Sequence, residues 1–211
     1  MTRQLVRNEL DRLRGRYSEI LEFMEPRTRL RDGRLGYVMK AQTEMEIIVG
    51  ADLDSPTAMR ETIVFDIDRC EVAVPDPTFT AEGALRFDIE IVAIEGTTVA
   101  ERLFGEPTEV TMRVGQGVDP FLRPTYGRTE VALGQEIADG VVSTQWVNLE
   151  VGTPYGPLRN KGPAEMRSTI TQLPPVDSPY IQQGKVDLFN DRGVRMAAKA
   201  ASMSTIIEIE H

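Results

Sequence analysis

Two carboxylate pairs at alternate strand positions, Asp66 with Asp68 and Asp88 with Glu90, are the acids best spaced for acid–base chemistry. Residues two apart on a strand share a face, and repulsion within such a pair can push one carboxyl into the general-acid range. Alternating acids are also what the solvated side of a strand looks like, and that is the preferred reading of both pairs.

Histidine chemistry is nearly excluded. His211, the last residue, is the only imidazole, so a Ser-His-Asp or Cys-His site, a multi-histidine zinc site and a histidine-held haem lack their essential group. Cys70 is the only cysteine and sits among apolar neighbours of even parity, where a thiol is a small buried hydrophobe rather than a nucleophile. Asp52 and Asp54 in one turn, with Asp76 and Asp119 in other loops, offer oxygen ligands for calcium. The chain has no Asp-x-Asp-x-Asp-Gly loop, so no metal is expected. Neither a Gly-x-Gly-x-x-Gly turn nor a Gly-x4-Gly-Lys-Ser/Thr loop is present, and no cofactor is expected.

Three loops combine proline with tyrosine, 121–128, 152–159 and 173–180, and the first two also contain arginine. Loops at one end of a β-fold cluster in space, and Tyr and Arg are favoured at binding hot spots. Arg123, Tyr126, Arg128, Tyr155, Arg159 and Tyr180 are therefore the candidate contact residues. The competing reading is that proline fixes the turns while tyrosine closes the ends of the core.

The elements that must position these residues are mostly strands. Met39, Ala41, Thr43, Met45, Ile47 and Val49 alternate with Lys40, Gln42, Glu44 and Glu46, the pattern of a half-buried antiparallel strand. From Thr62 to Val74 the apolar parity switches from odd (Ile63, Phe65, Ile67) to even (Cys70, Val72, Val74), which predicts a bulge or sheet crossover near Asp68-Arg69. Leu85, Phe87, Ile89, Ile91 and Ala93 give the clearest period of two. Further strands are expected over 110–114, 141–151, 166–173, 186–189 and from Val194 on, with a tight turn at Asn190-Asp-Arg-Gly193. Short strands with Gly/Pro punctuation predict an all-β fold: an antiparallel β-sandwich over 27–211, with a barrel as the alternative.

Before the strands, Val6, Leu10, Leu13, Tyr17, Ile20 and Met24 form an apolar seam at spacings of four and three, ended by Pro26. This predicts an amphipathic N-terminal helix over 1–26 that docks on its own sheet or self-associates. The first 32 residues hold eight arginines against six acids, whereas the whole chain carries −9. An acidic field of that size repels nucleic acid and anionic membrane, and neither is an expected partner. The absence of an apolar signal segment and of a cysteine pair favours a cytoplasmic setting.

Two functions fit these features. The first is a non-enzymatic binding or assembly module, with a protein partner or a homo-oligomer formed through the helix. The second is a cofactor-independent isomerase, cyclase or lyase, with a small-molecule cavity inside the β-fold and no catalytic His or Cys.

Overall fold

The structure is a computed structural model that describes residues 27–50 and 52–210. The helix expected over 1–26, its six seam residues and His211 lie outside the described residues.

Four long strands form the frame: β2 (Leu35–Val49), β3 (Met59–Ala73), β5 (Leu85–Ala100) and β14 (Arg195–Glu210), each of 15 or 16 residues. β2 pairs antiparallel with β3 on one side and with β14 on the other, and β3 continues to β5. Two very short strands, β1 (Thr28–Arg29) and β4 (Thr78–Phe79), flank β2 and β5.

At β5 the sheet forks. The second half of β5, from Ile94 to Ala100, pairs with β6 (Thr108–Val114), while the first half, from Leu85 to Ile91, pairs with β7 (Thr125–Val131). The β6 route continues through β9 (Leu149–Thr153), β10 (Gly156–Asn160) and β13 (Val186–Phe189) to the start of β14. The β7 route continues through β8 (Val141–Val147), β11 (Ala164–Ile170) and β12 (Tyr180–Gln182) to Met203 and Ser204, further along the same strand. Both routes therefore close on β14.

The antiparallel all-β expectation holds, but the pairing differs from two stacked sheets. All 14 strands belong to one sheet that returns on itself, because β5 and β14 are long enough to hydrogen-bond to both routes. Strand length is what a reading by local periodicity leaves out.

The interior is dictated by alternation and by where alternation breaks. Met39, Ala41, Met45 and Ile47 of β2 pack with Ile63, Phe65 and Ile67 of β3, all in one apolar core. The parity switch in β3 is a bulge: Met39 faces Cys70 and Ala41 faces Ile67, so β3 carries one extra residue at Asp68-Arg69. A second bulge lies in β14, where Lys199 faces Ile47 but Ala201 already faces Glu46. The buried side of β14 changes there from Ala197 and Lys199 to Ser202. The Asn190–Gly193 turn forms as expected, with Gly193 at φ 76° and its N–H donating to Asn190 O at 2.8 Å.

Glu61 ties the loop after β5 to β3. Its carboxylate accepts from the backbone N–H groups of Glu101, Arg102 and Leu103 at 2.7, 3.0 and 2.7 Å. Burial works to raise this carboxyl, and the three N–H donors together hold it below its ordinary value. Its contribution is therefore present above the ordinary carboxylate pKa and lost as pH falls through the lowered one. Glu61→Gln is expected to reduce stability by about 2 kcal/mol at neutral pH, because donors aimed at a charge lose it. Urea unfolding at neutral and strongly acidic pH checks this, with the difference between the two proteins closing in acid.

Candidate functional site

Inside the closed sheet lie two small chambers. The outer one, about 70 Å³, is walled by Tyr37, Met39, Val72, Val74, Phe87, Ile89 and Ile206, with Leu173, Pro174 and Pro175 of the β11–β12 loop. Its polar side is Thr129, Ser143, Gln145 and Tyr180. Tyr180 and Thr129 both donate to Ser143 Oγ at 2.8 Å, which leaves the serine's own O–H as its remaining capacity. Burial raises the Tyr180 phenol against the lowering pull of hydrogen bonds with Ser143 and Gln145, so it is a neutral donor at physiological pH. Opposite Ser143 in the ladder stands Ser168, whose buried Oγ has no hydrogen-bond partner among the described residues.

The inner chamber, about 40 Å³, sits at the fork. Met45, Ile91, Ile94, Met112, Val114, Val147, Leu149 and Met166 line it, and Gln145 stands in the walls of both chambers. Its polar members are Thr43, Ser202, Ser204 and Lys199, with Thr43 Oγ1 and Ser204 Oγ 2.9 Å apart.

Lys199 is the most unusual residue of the interior. It is 2% exposed, and no hydrogen bond or ion pair joins its amine to any described residue. Among the described residues Lys199 is the one charged side chain lining the chamber, and burial pushes its amine down to about 7. The chain has only four lysines against twenty arginines. Two of the others are ion-paired, Lys40 to Glu208 at 2.9 Å and Lys185 to Asp54 at 2.6 Å, and Lys161 lies 3.9 Å above the Phe189 ring. A buried amine without a counter-charge, in a hollow with hydroxyls, is the kind of perturbed group that clusters at functional sites.

The residues singled out from sequence occupy several different places. Arg123 and Arg159 line one surface cleft beside Phe121 and Lys161, where Arg123 donates to Lys161 O and Arg159 pairs with Glu150 and, at 2.6 Å, with Asp191. Tyr126 borders a different groove with Arg27, Arg34 and Asp76. Arg128 is paired to Asp88 at 2.8 Å, and Tyr155 is exposed with its ring edge-on to Phe104 at 5.8 Å. Tyr180 alone reaches the interior.

The carboxylate pairs lie on outer faces, and Asp66, Asp88 and Glu90 have partners there. Asp66 accepts from Gln42 at 2.7 Å, Asp88 meets Arg86 and Arg128, and Glu90 meets Arg34 at 2.6 Å. Burial, with the nearby Glu71 charge, pushes the Cys70 thiol up to about 12, so it is protonated and inert. Asp52 Oδ1 accepts from Asp54 N at 3.1 Å, an ordinary turn contact.

A closed, forked antiparallel sheet around an apolar hollow is the geometry to compare with known proteins. It resembles DynF. In the structure of DynF from the dynemicin biosynthesis pathway of Micromonospora chersina, the fold matches with a TM-score of 0.66 over 83% of this chain and 81% of that one. DynF shares 13% sequence identity with this chain, so the likeness is one of fold. No family model matches the sequence, and no curated protein matches it. Among the described residues no helix is long and apolar enough to cross a membrane.

Sequence reading missed Lys199 for a physical reason. By strict alternation Lys199 belongs with Ala201 and Met203, which are exposed; the bulge after it turns the lysine inward instead. One signal was available: a lone lysine flanked by Ala197, Ala198, Ala200 and Ala201, neighbours too small to fill the space it occupies.

Proposed function

We propose that the closed sheet is a barrel-like container that binds a small, slender, mainly apolar molecule in its interior. The observation that carries this reading is the pair of chambers sharing Gln145, with an unpartnered lysine at the inner end and a Tyr-Ser-Thr cluster at the outer. A sheet built only for stability would fill that space with methyl groups, since buried polar side chains without partners are costly. The volumes bound the ligand. Drug-sized pockets run to about 300–1,000 Å³ and a cavity that takes benzene to about 150 Å³, so 70 and 40 Å³ suit a short chain spanning both chambers, with Met39, Met45, Met112 and Met166 able to adjust around it. DynF belongs to a biosynthesis pathway, a setting in which a small-molecule container has an obvious use.

This reading keeps the binding function expected from sequence and moves its centre from loop tips to interior. Phe121, 91% exposed, and Tyr155, 67% exposed, support a protein contact at the loops as a separate property of the same module. The cofactor-independent enzyme is the second reading, favoured by one observation: an amine near 7 is suited to proton transfer at neutral pH.

Titration calorimetry with n-hexanol, a neutral and slender probe, tests the container. One site per chain with a negative heat-capacity change is expected, the mark of apolar burial. Absence of any saturable uptake of hexanol or its shorter homologues would remove the container reading.

A further inference from the structure

We infer that Lys199 is a covalent capture residue, holding an aldehyde or ketone ligand as a reversible imine in the inner chamber. This deepens the container reading and rests on it.

The geometry argues for a carbonyl rather than a carboxylate. Among the described residues around the inner chamber, eight of thirteen are apolar and none is acidic. An anion would have to shed its water into that small hollow, whereas a carbonyl enters neutral at much lower desolvation cost. The amine is ready for the neutral partner, since with a pKa of about 7 roughly half of it is unprotonated at neutral pH, against a small fraction of an ordinary lysine.

The reaction balances without any further reagent. The Nζ lone pair attacks the carbonyl carbon, forming the C–N bond while the π pair moves to oxygen. One proton passes from nitrogen to that oxygen and gives a neutral carbinolamine. A second passes the same way as the C–O bond breaks and oxygen leaves as water, and the nitrogen lone pair closes C=N. Thr43, Ser202 and Ser204 are the hydroxyls in the same chamber that can pass protons between nitrogen and oxygen. The apolar walls retard the water that would reverse the step.

Reductive trapping on the intact chain is the test, with n-hexanal and cyanoborohydride at neutral pH followed by peptide mass mapping. Mapping separates the four lysines from one another and from the α-amino group. Lys199 is expected to acquire the hexyl group at least ~10-fold faster than Lys40, Lys161 or Lys185, since roughly half of its buried amine is unprotonated at neutral pH and the chamber holds the aldehyde against it. Excess hexanol should slow labelling of Lys199 alone. If hexanol binds but Lys199 stays unlabelled, imine capture is overturned and the container stands. Hexanoate binding more tightly than hexanol, again without an adduct, overturns capture in favour of an ion pair. If neither hexanol binds nor Lys199 is labelled, both readings fall. No variant is needed, so the outcome does not depend on a substitution that fails to fold.

Discussion

Lys199→Met is expected to make the protein more stable, by roughly 4 kcal/mol at about pH 6, and to flatten the rise of stability with pH. Folding takes this amine from 10.5 to about 7 through burial. Below pH 7 both states carry the proton, and the folded state bears the whole desolvation penalty. Between 7 and 10.5 the unfolded chain still holds its proton while the folded chain has released it, so stability rises with pH and the penalty is relieved. Methionine has a similar length, no charge and no such slope. Urea titrations at several pH values measure both quantities. A variant less stable than the parent in mild acid would mean that the amine has a partner and the interior is not a vacant chamber. Gain of stability on removing a residue is the signature of a group retained for what it does.

Phe65→Ala is expected to act in the opposite direction, costing about 4 kcal/mol. Phe65 is completely buried on β3 and belongs to the main core cluster. A Cβ built on Gly96 of β5 would lie 3.4 Å from the Phe65 ring, ordinary van der Waals contact, so Gly96 forms part of the ring's packed surroundings. Neighbours held in a closed hydrogen-bonded ring cannot collapse into the gap, which puts the penalty in the upper part of the range for such truncations. The check is a shift in urea midpoint with the m-value unchanged. A loss under about 1 kcal/mol would show that the ring relaxes far more than a closed sheet should.

Local signals in this chain were readable and long-range ones were not. Alternation in β2 and β5 placed Met39 to Ile47 and Leu85 to Ile91 inside, and the parity switch located the Asp68-Arg69 bulge, because both follow from side chains pointing to opposite faces. Closure of the sheet was not legible, since it depends on which half of β5 and β14 pairs with which route and on the pairing of β2 with β14, whose partners lie more than 100 residues apart. The candidate site divided in the same way. Tyr180 was identified from its loop and does line the hollow, whereas Arg123, Tyr126, Arg128, Tyr155 and Arg159 fall on outer surfaces, because a Tyr-Pro-Arg composition marks loop ends without saying which way a strand-end residue turns. Lys199 needed knowledge of a single bulge.

A container of this kind must admit a small apolar molecule into the ring. Methionine methyl NMR gives the most direct answer, because Met39, Met45, Met112 and Met166 line the chambers while Met59 and Met203 are exposed on the outside. With hexanol added, the four interior methyl signals are expected to move together along one saturation curve while Met59 and Met203 stay in place. Shifts confined to the exterior methyls, or none at saturating probe, would contradict an interior binding site.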